Sequence, residues 1–190
     1  MRNTDYLSYI KVIQLEDARQ FLFRFLNQGD REDFGALIRE VTSEELLFLK
    51  QDLLDRTILN HWFDQLHYDN VLPLAAVDLN RHRLAAVAIL QRGGHTMHHI
   101  GNISLLVSQA YRQTALGSLM LEDLIDLAWQ EDLHWLSTEV LCEQAQLISA
   151  FKAKGFEIKA QLPDYIRHHK GVTKDVVLLM RPMLKQRREF

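Results

Sequence analysis

From Val71 onward the chain changes texture, and that change restricts the fold more than any other feature. Val71–Leu79 and Leu84–Gln91 are β-branched and alanine-rich, with Asn80-Arg81-His82 between them as a hairpin turn. Gly93-Gly94 separates the second segment from a third, Met97–Val107. Thr114–Asp132 carries Leu116, Met120, Leu124 and Leu127 along one stripe and reads as a long helix. A strand over Leu133–Leu141, a helix over Gln144–Lys154 and strands over Phe156–Leu162 and Asp175–Arg181 complete the series. Gly155 stands where a helix C-cap glycine belongs, after Lys152 and Lys154 in the negative last turn. The order β-β-β-α-β-α-β-β predicts an α+β fold, a mixed α/β sheet with helices.

Residues 1 to 70 read as helical. Leu15–Asn27 places Ala18, Phe21, Leu22, Phe25 and Leu26 at helical spacing, and Gly29-Asp30 marks a break. Thr42 and Glu45 form a capping box ahead of Leu46, Leu47, Leu49, Leu53 and Leu54. Arg56–Leu66 repeats the pattern through Ile58, Leu59, Trp62 and Leu66. The length of 190 residues suits one domain, and 47% apolar with 25% charged residues argues against a disordered chain. A net charge of −3 argues against a general attraction to nucleic acid. The lone Cys142 cannot close an intrachain disulfide. No apolar run approaches the roughly 20 residues of a membrane span, and Met1–Asp5 opens no signal-peptide core. The expectation is a cytoplasmic protein with neither nucleic acid nor membrane as partner, ending in a solvated basic tail, Lys185–Arg188.

The stretch that carries chemistry runs from Ile103 to Met120. An apolar strand ends, a short polar loop follows, and a helix starts within Arg112–Ser118. Ala115, Gly117 and Ser118 are small enough to let a ligand approach the backbone. The first turn of a helix has N–H groups without partners and a partial positive charge, which suits a phosphate or pyrophosphate. A plain strand-to-helix turn has the same small residues, so composition alone leaves both readings open.

Arg112-Gln113-Thr114-Ala115-Leu116-Gly117 resembles the acyl-CoA signature of the GNAT N-acetyltransferase superfamily, Arg/Gln-x-x-Gly-x-Gly/Ala after a strand, with Ala115 in place of the first glycine. Glu139 to Gln144, Phe151 to Gly155-Phe156, Leu162-Pro-Asp-Tyr165, and Lys174 to Met180 continue the likeness, which covers residues 71 to 183. It implies a GNAT-like central sheet, mixed and mostly antiparallel, flanked by helices. One acyltransferase domain over 1–190 would comprise a variable helical opening (1–70), an acyl-CoA-binding core (71–183) and the basic tail (184–190). The resemblance further implies acetyl-CoA as co-substrate, with its pantetheine arm along Leu105, Leu106 and Val107. Its pyrophosphate would lie on the segment Arg112, Gln113, Thr114, Ala115, Leu116, Gly117 and Ser118. Gln144 would touch the pantetheine and Phe151 the acyl end. A carboxylate introduced at Gly117 is expected to repel the pyrophosphate and leave the fold intact.

The implied activity is acetyl transfer by direct attack of a primary amine, on a small molecule or a protein, with a homodimer left open. The alternative is a GNAT-fold module that binds acyl-CoA without turnover, as sensor or scaffold; a third reading, an interaction domain that has lost CoA, leans on Ala115. Many members of the superfamily place a tyrosine acid where this chain has Phe151, which has no proton to give. Tyr165 and Tyr111 are the substitutes. An acidic residue common early in the third strand is replaced near Asn102. His99 and, through a water, Glu139 are the candidate bases, beside the option of no dedicated base. His95, His98 and His99 with His168-His169 complete no ligand spacing, so no metal is expected. Glu122, Asp123 and Asp126 read as the solvent face of the long helix. Trp62, Phe63 and Tyr68 are either core or the wall of an acceptor pocket.

Overall fold

Phe21, Phe23 and Phe25 alternate along the second strand and all three are buried. Alternation is the period of a strand, and it overrides the helical spacing of Ala18, Phe21, Leu22 and Phe25. The computed structural model, which describes residues 6–46, 48–49, 52–167 and 171–183, therefore opens on a hairpin where a helix over Leu15–Asn27 is expected. Strand β1 (Ile10–Gln14) pairs antiparallel with β2 (Gln20–Phe25). Their turn is closed by the Leu15 N–H on the Arg19 carbonyl and by Arg19 on the Asp17 carboxylate, with Ala18 at φ 65°.

Helices follow. Helix α1 is Arg31–Glu40 and α2 is the single turn Ser43–Leu46. The capping box is present: the Thr42 N–H donates to Glu45 (2.9 Å) and the Glu45 N–H to the Thr42 hydroxyl (3.4 Å). The helix does not continue to Leu54, because Asp52 and Asp55 take backbone N–H groups in a turn that starts α3 (Arg56–Asp64). Leu53 is buried and Leu54 exposed; Leu47 lies outside the described residues.

The remaining elements are β3 (Val71–Asp78), β4 (Arg83–Arg92), β5 (Ile100–Val107), α4 (Leu116–Gln130), β6 (Trp135–Leu141), α5 (Ala145–Ala153), β7 (Glu157–Arg167) and β8 (Thr173–Pro182). The eight strands run in the order β1-β2-β3-β4-β5-β6-β8-β7, a mixed and mostly antiparallel sheet. The third strand of the expected series starts at Ile100, not Met97, because His95–Met97 forms a 3-10 turn closed by the Met97 N–H on Gly94. β7 reaches Arg167, five residues past the expected end at Leu162. Its register slips between Leu162 and Ile166, and it lies at the sheet's edge, where Pro163 interrupts no ladder on the outer side. Gly155, at φ 82°, ends α5 as a C-cap.

The chain groups into two compact units, Met1–Gln91 with Ile103–Leu124, and Arg92–Asn102 with Ile125–Phe190. In the first, Leu26, Phe34, Leu37, Ile38, Leu59 and Phe63 of the opening segment pack on Ala75, Val87, Ile89 and Leu106 of the sheet. Asp123 belongs to this unit and corrects the solvent-face reading: it is buried, paired to Lys11 Nζ at 2.6 Å and to the Tyr9 hydroxyl at 2.5 Å, whereas Glu122 and Asp126 are exposed. In the second, β6 pairs with β8 over Trp135–Leu141, and the short parallel pairing of β5 with β6 covers Ile100–Asn102 and Trp135–Ser137. Removing a ring from the β2 face leaves a cavity under the hairpin. Phe23→Ala should cost about 3–5 kcal/mol in a urea titration; a loss below about 1 kcal/mol would contradict the strand packing.

Candidate functional site

Three carboxylates from three elements hold the chain that leaves β5. Ser108 donates its hydroxyl to Glu40, at the end of α1, at 2.5 Å. Tyr111 donates its hydroxyl to Asp78, at the end of β3, at 2.7 Å. Arg112 donates to Glu45 of α2 at 2.6 Å and, through Nε, to the Val107 carbonyl at 3.2 Å. The guanidinium groups of Arg19 and Arg83 each lie 5.7 Å from the Tyr111 ring centre, and Phe21 meets that ring edge-on. Burial works against the charge of Asp78, but the Tyr111 hydroxyl and the N–H groups of Arg81 and Asn80 outweigh it and hold the carboxyl below its ordinary range. Burial and the neighbouring Asp78 push the Tyr111 phenol up, so Tyr111 is a committed donor rather than a free acid.

The loop so anchored presents a helix start. Gln113 sits at φ 56°, and the Thr114 hydroxyl donates to the Tyr111 carbonyl at 2.7 Å while accepting the Leu116 N–H at 3.3 Å. Ala115 occupies the N-cap position: its carbonyl accepts the Leu119 N–H at 3.0 Å. The N–H groups of Gly117 and Ser118 come before that first intrahelical bond and belong to the orphan donors of a helix N-terminus. Gln113 and Ala115 are exposed; Leu116 is fully buried and offers a ligand only its backbone. A Cβ on Gly117 would stand 3.2 Å from Leu105 Cδ2 and 3.8 Å from Val107 Cγ2. Gly117 thus lets α4 lie close on β5, and a side chain there requires the Leu105 side chain to give by a few tenths of an ångström.

No protein-family profile matches the sequence, and no curated protein matches it significantly. Solved structures do. An acetyltransferase of the GNAT family from Streptococcus pneumoniae is 21% identical, with a TM-score of 0.70 over 86% of this chain and 99% of that one. A ribosomal-protein-S5-alanine acetyltransferase from Vibrio fischeri is 13% identical, with a TM-score of 0.75 over 90% and 96%. yncA, a putative acetyltransferase from Salmonella typhimurium crystallised with acetyl-CoA, is 17% identical, with a TM-score of 0.71 over 87% and 95%. The chain has the GNAT fold.

Within that fold the expected reacting groups do not converge. His99 precedes β5, at the other end of that strand from the loop, and its ring neighbours are His98 (5.8 Å) and His134 (5.9 Å). Glu139 lies four residues beyond Trp135, the partner of Ile100, so roughly 13 Å of strand separates it from the level of Ile100, one residue past His99. Tyr165 is 54% exposed on the edge strand β7, beyond the level at which Leu141 and Leu162 meet through Val176. Asn102 reaches Ser137 at 3.4 Å. Phe151 is 2% exposed and packs edge-on to Phe156 at 5.1 Å, so its ring is part of the core. Leu106 is likewise core in its side chain, while Leu105 and Val107 are half-buried. Gln144 caps α5 through its backbone, and its side chain makes no cap bond. Among the described residues no group of three His, Cys, Asp or Glu side chains could hold a metal; His168-His169 lie outside them.

The first unit also contains a cavity of about 160 Å3. Leu53, Trp62, Leu66 and Ile89 supply apolar wall, and Gln65, Gln91 and Ser104 its polar members. Of the three aromatic residues considered for a pocket, Trp62 lines it, Phe63 is core, and Tyr68 is tied to the Leu26 carbonyl at 2.5 Å. The roles of Glu40, Glu45 and Asp78 escaped sequence reasoning. Glu45 was visible only as half of a capping box, and nothing in the sequence links it to Arg112.

Because the folded state holds Asp78 charged, that carboxylate contributes stability above its unfolded pKa, roughly 3.9, and the contribution is lost as pH falls through the lower folded value. Asp78→Asn should therefore cost about 1.5–3 kcal/mol at pH 7, as for hydrogen bonds to a charged group. Chemical denaturation as a function of pH should show the gap to wild type closing below about pH 4. A gap that stays constant down to pH 2.5 would show that the charge of Asp78 is not what holds Tyr111.

Proposed function

We propose that the chain is an acetyl-CoA-dependent N-acetyltransferase of the GNAT superfamily, acting on a primary amine of a small molecule or a protein. The observation that supports this reading is the anchored turn at the end of β5, where Ala115 is exposed and the Gly117 and Ser118 N–H groups precede the first intrahelical bond. Gln113 to Ser118 include no cation, so the backbone and the helix dipole are what attract the pyrophosphate. Ala115 fits the group: its methyl points to solvent, so the missing signature glycine removes little. The pantetheine arm would hydrogen-bond along the backbone of Leu105–Val107.

Bound acetyl-CoA supplies a thioester whose carbonyl carbon the amine attacks. The nitrogen forms the amide bond, the carbon–sulfur bond breaks, and its electron pair leaves with sulfur. The amine's proton passes to water and the thiolate ends as the CoA thiol. A thiolate departs without an acid, which is compatible with Phe151. A second reading, an acyl-CoA-binding module without turnover, is favoured by the dispersal of His99, Glu139 and Tyr165.

Aspartate at Ala115 separates fold from ligand. As an N-cap residue it should stabilise α4, by about 0.5–2 kcal/mol, while its charge repels the pyrophosphate. Ala115→Asp should thus keep or raise the melting temperature of the free protein and weaken CoA binding at least tenfold by calorimetry. Undiminished CoA affinity would remove the loop from the site. Thiol release with a panel of amines separates the enzyme from the module: release above the amine-free blank supports transfer, and CoA binding without release supports the module.

A further inference from the structure

We propose that the cavity of the first unit selects the acceptor, and that it takes a primary amine carrying one uncharged side group of benzene or isobutyl size beside a neutral carboxamide, as in the amide of an apolar amino acid. The inference rests on the acetyl-transfer reading and goes beyond it by naming the substrate class. Its place comes from Ser104, which lines the cavity and immediately precedes Leu105, where the thioester end of the pantetheine arm would lie. One wall of the cavity therefore belongs to the strand that would carry the thioester.

Size sets the first limit. An apolar cavity of about 150 Å3 holds benzene, and this one measures about 160 Å3. Trp62 is fixed by stacking on Phe34 (5.5 Å) and edge-on contact with Phe63 (5.2 Å), so that wall is rigid. Leu66 and Ile89 complete an apolar seat for one ring or one branched chain.

Polarity sets the second. Ser104 and Gln91 each combine donor and acceptor, which matches a carboxamide that also offers both. Among the described residues the lining has no charged side chain. A second ammonium, or a carboxylate, would lose its water there and gain no counter-charge. Diamines and acidic amines are thereby disfavoured, while the reacting amine, outside the apolar seat, keeps its route to the thioester. In the reaction the nitrogen bonds to the acetyl carbon, sulfur takes the pair of the broken bond, and the displaced proton returns through water to give the CoA thiol and the N-acetyl amide.

The test uses the full chain with acetyl-CoA and two probes, phenylalaninamide and 1,4-diaminobutane, in wild type, Gln91→Glu and Ser104→Leu. Gln91→Glu keeps the shape and adds the counter-charge that the second ammonium of a diamine lacks in the wild-type cavity; Ser104→Leu fills the cavity. Wild type should prefer phenylalaninamide about 100-fold in kcat/KM, within the range that side-group recognition in a pocket achieves, and Gln91→Glu should cut that ratio at least tenfold. Equal or better turnover of 1,4-diaminobutane, or a ratio untouched by Gln91→Glu, overturns the cavity assignment while leaving acetyl transfer in place. If neither probe releases thiol, calorimetry in the presence of CoA decides. Phenylalaninamide binding to wild type and at least tenfold more weakly to Ser104→Leu supports the cavity even as the transfer reading falls. No binding to wild type overturns the cavity assignment as well.

Discussion

Everything at the candidate site depends on how the chain is held where it leaves β5. Glu40, Asp78 and Glu45 come from a helix end, a strand end and a single helical turn, and each takes a donor from Ser108, Tyr111 or Arg112. Charge-assisted hydrogen bonds of this kind are shorter and stronger than neutral ones. Between them they fix a loop of five residues so that Gln113 can take a positive φ and α4 can begin with its N–H groups outward. Preorganisation matters here because a turn that must order itself on binding gives up affinity to entropy. The same clamp engages Arg112, whose guanidinium is shared between Glu45 and the Val107 carbonyl.

The opening seventy residues have a double task in this arrangement. Helices α1 and α3 cover the sheet, and they also place Glu40 and Trp62 where the loop and the cavity need them. Gly117 does the equivalent on α4, since its bare backbone allows close contact with Leu105. Packing and the shape of the proposed site are thus set by the same residues. Substitutions aimed at one will disturb the other unless, as at Ala115, the side chain already points into solvent.

Much of this was legible in the sequence, for reasons that can be named. The long apolar stripe of α4, the turn at Asn80-Arg81-His82 and the glycine at 155 are local signals, and each sits within a residue or two of its expected place. The first hairpin was not legible, because Phe21, Leu22, Phe25 and Leu26 satisfy a helical template as readily as Phe21, Phe23 and Phe25 satisfy a strand. Only pairing with Leu74–Asp78 of β3 decides between them. The three carboxylate anchors were invisible because their partners lie 33, 67 and 68 positions away in sequence. Phe151 shows another limit: its burial against Phe156 was not readable from the helical spacing.

The central claim is that the turn from Gln113 to Ser118 is where a nucleotide-bearing acyl carrier binds. Amide chemical shifts during a titration with CoA test it most directly, because they report each N–H separately and require no turnover. The account predicts that Gln113, Ala115, Gly117 and Ser118 move together and saturate, with Leu105–Val107 following along the strand. Saturable binding that leaves those amides in place and shifts only residues elsewhere would contradict it.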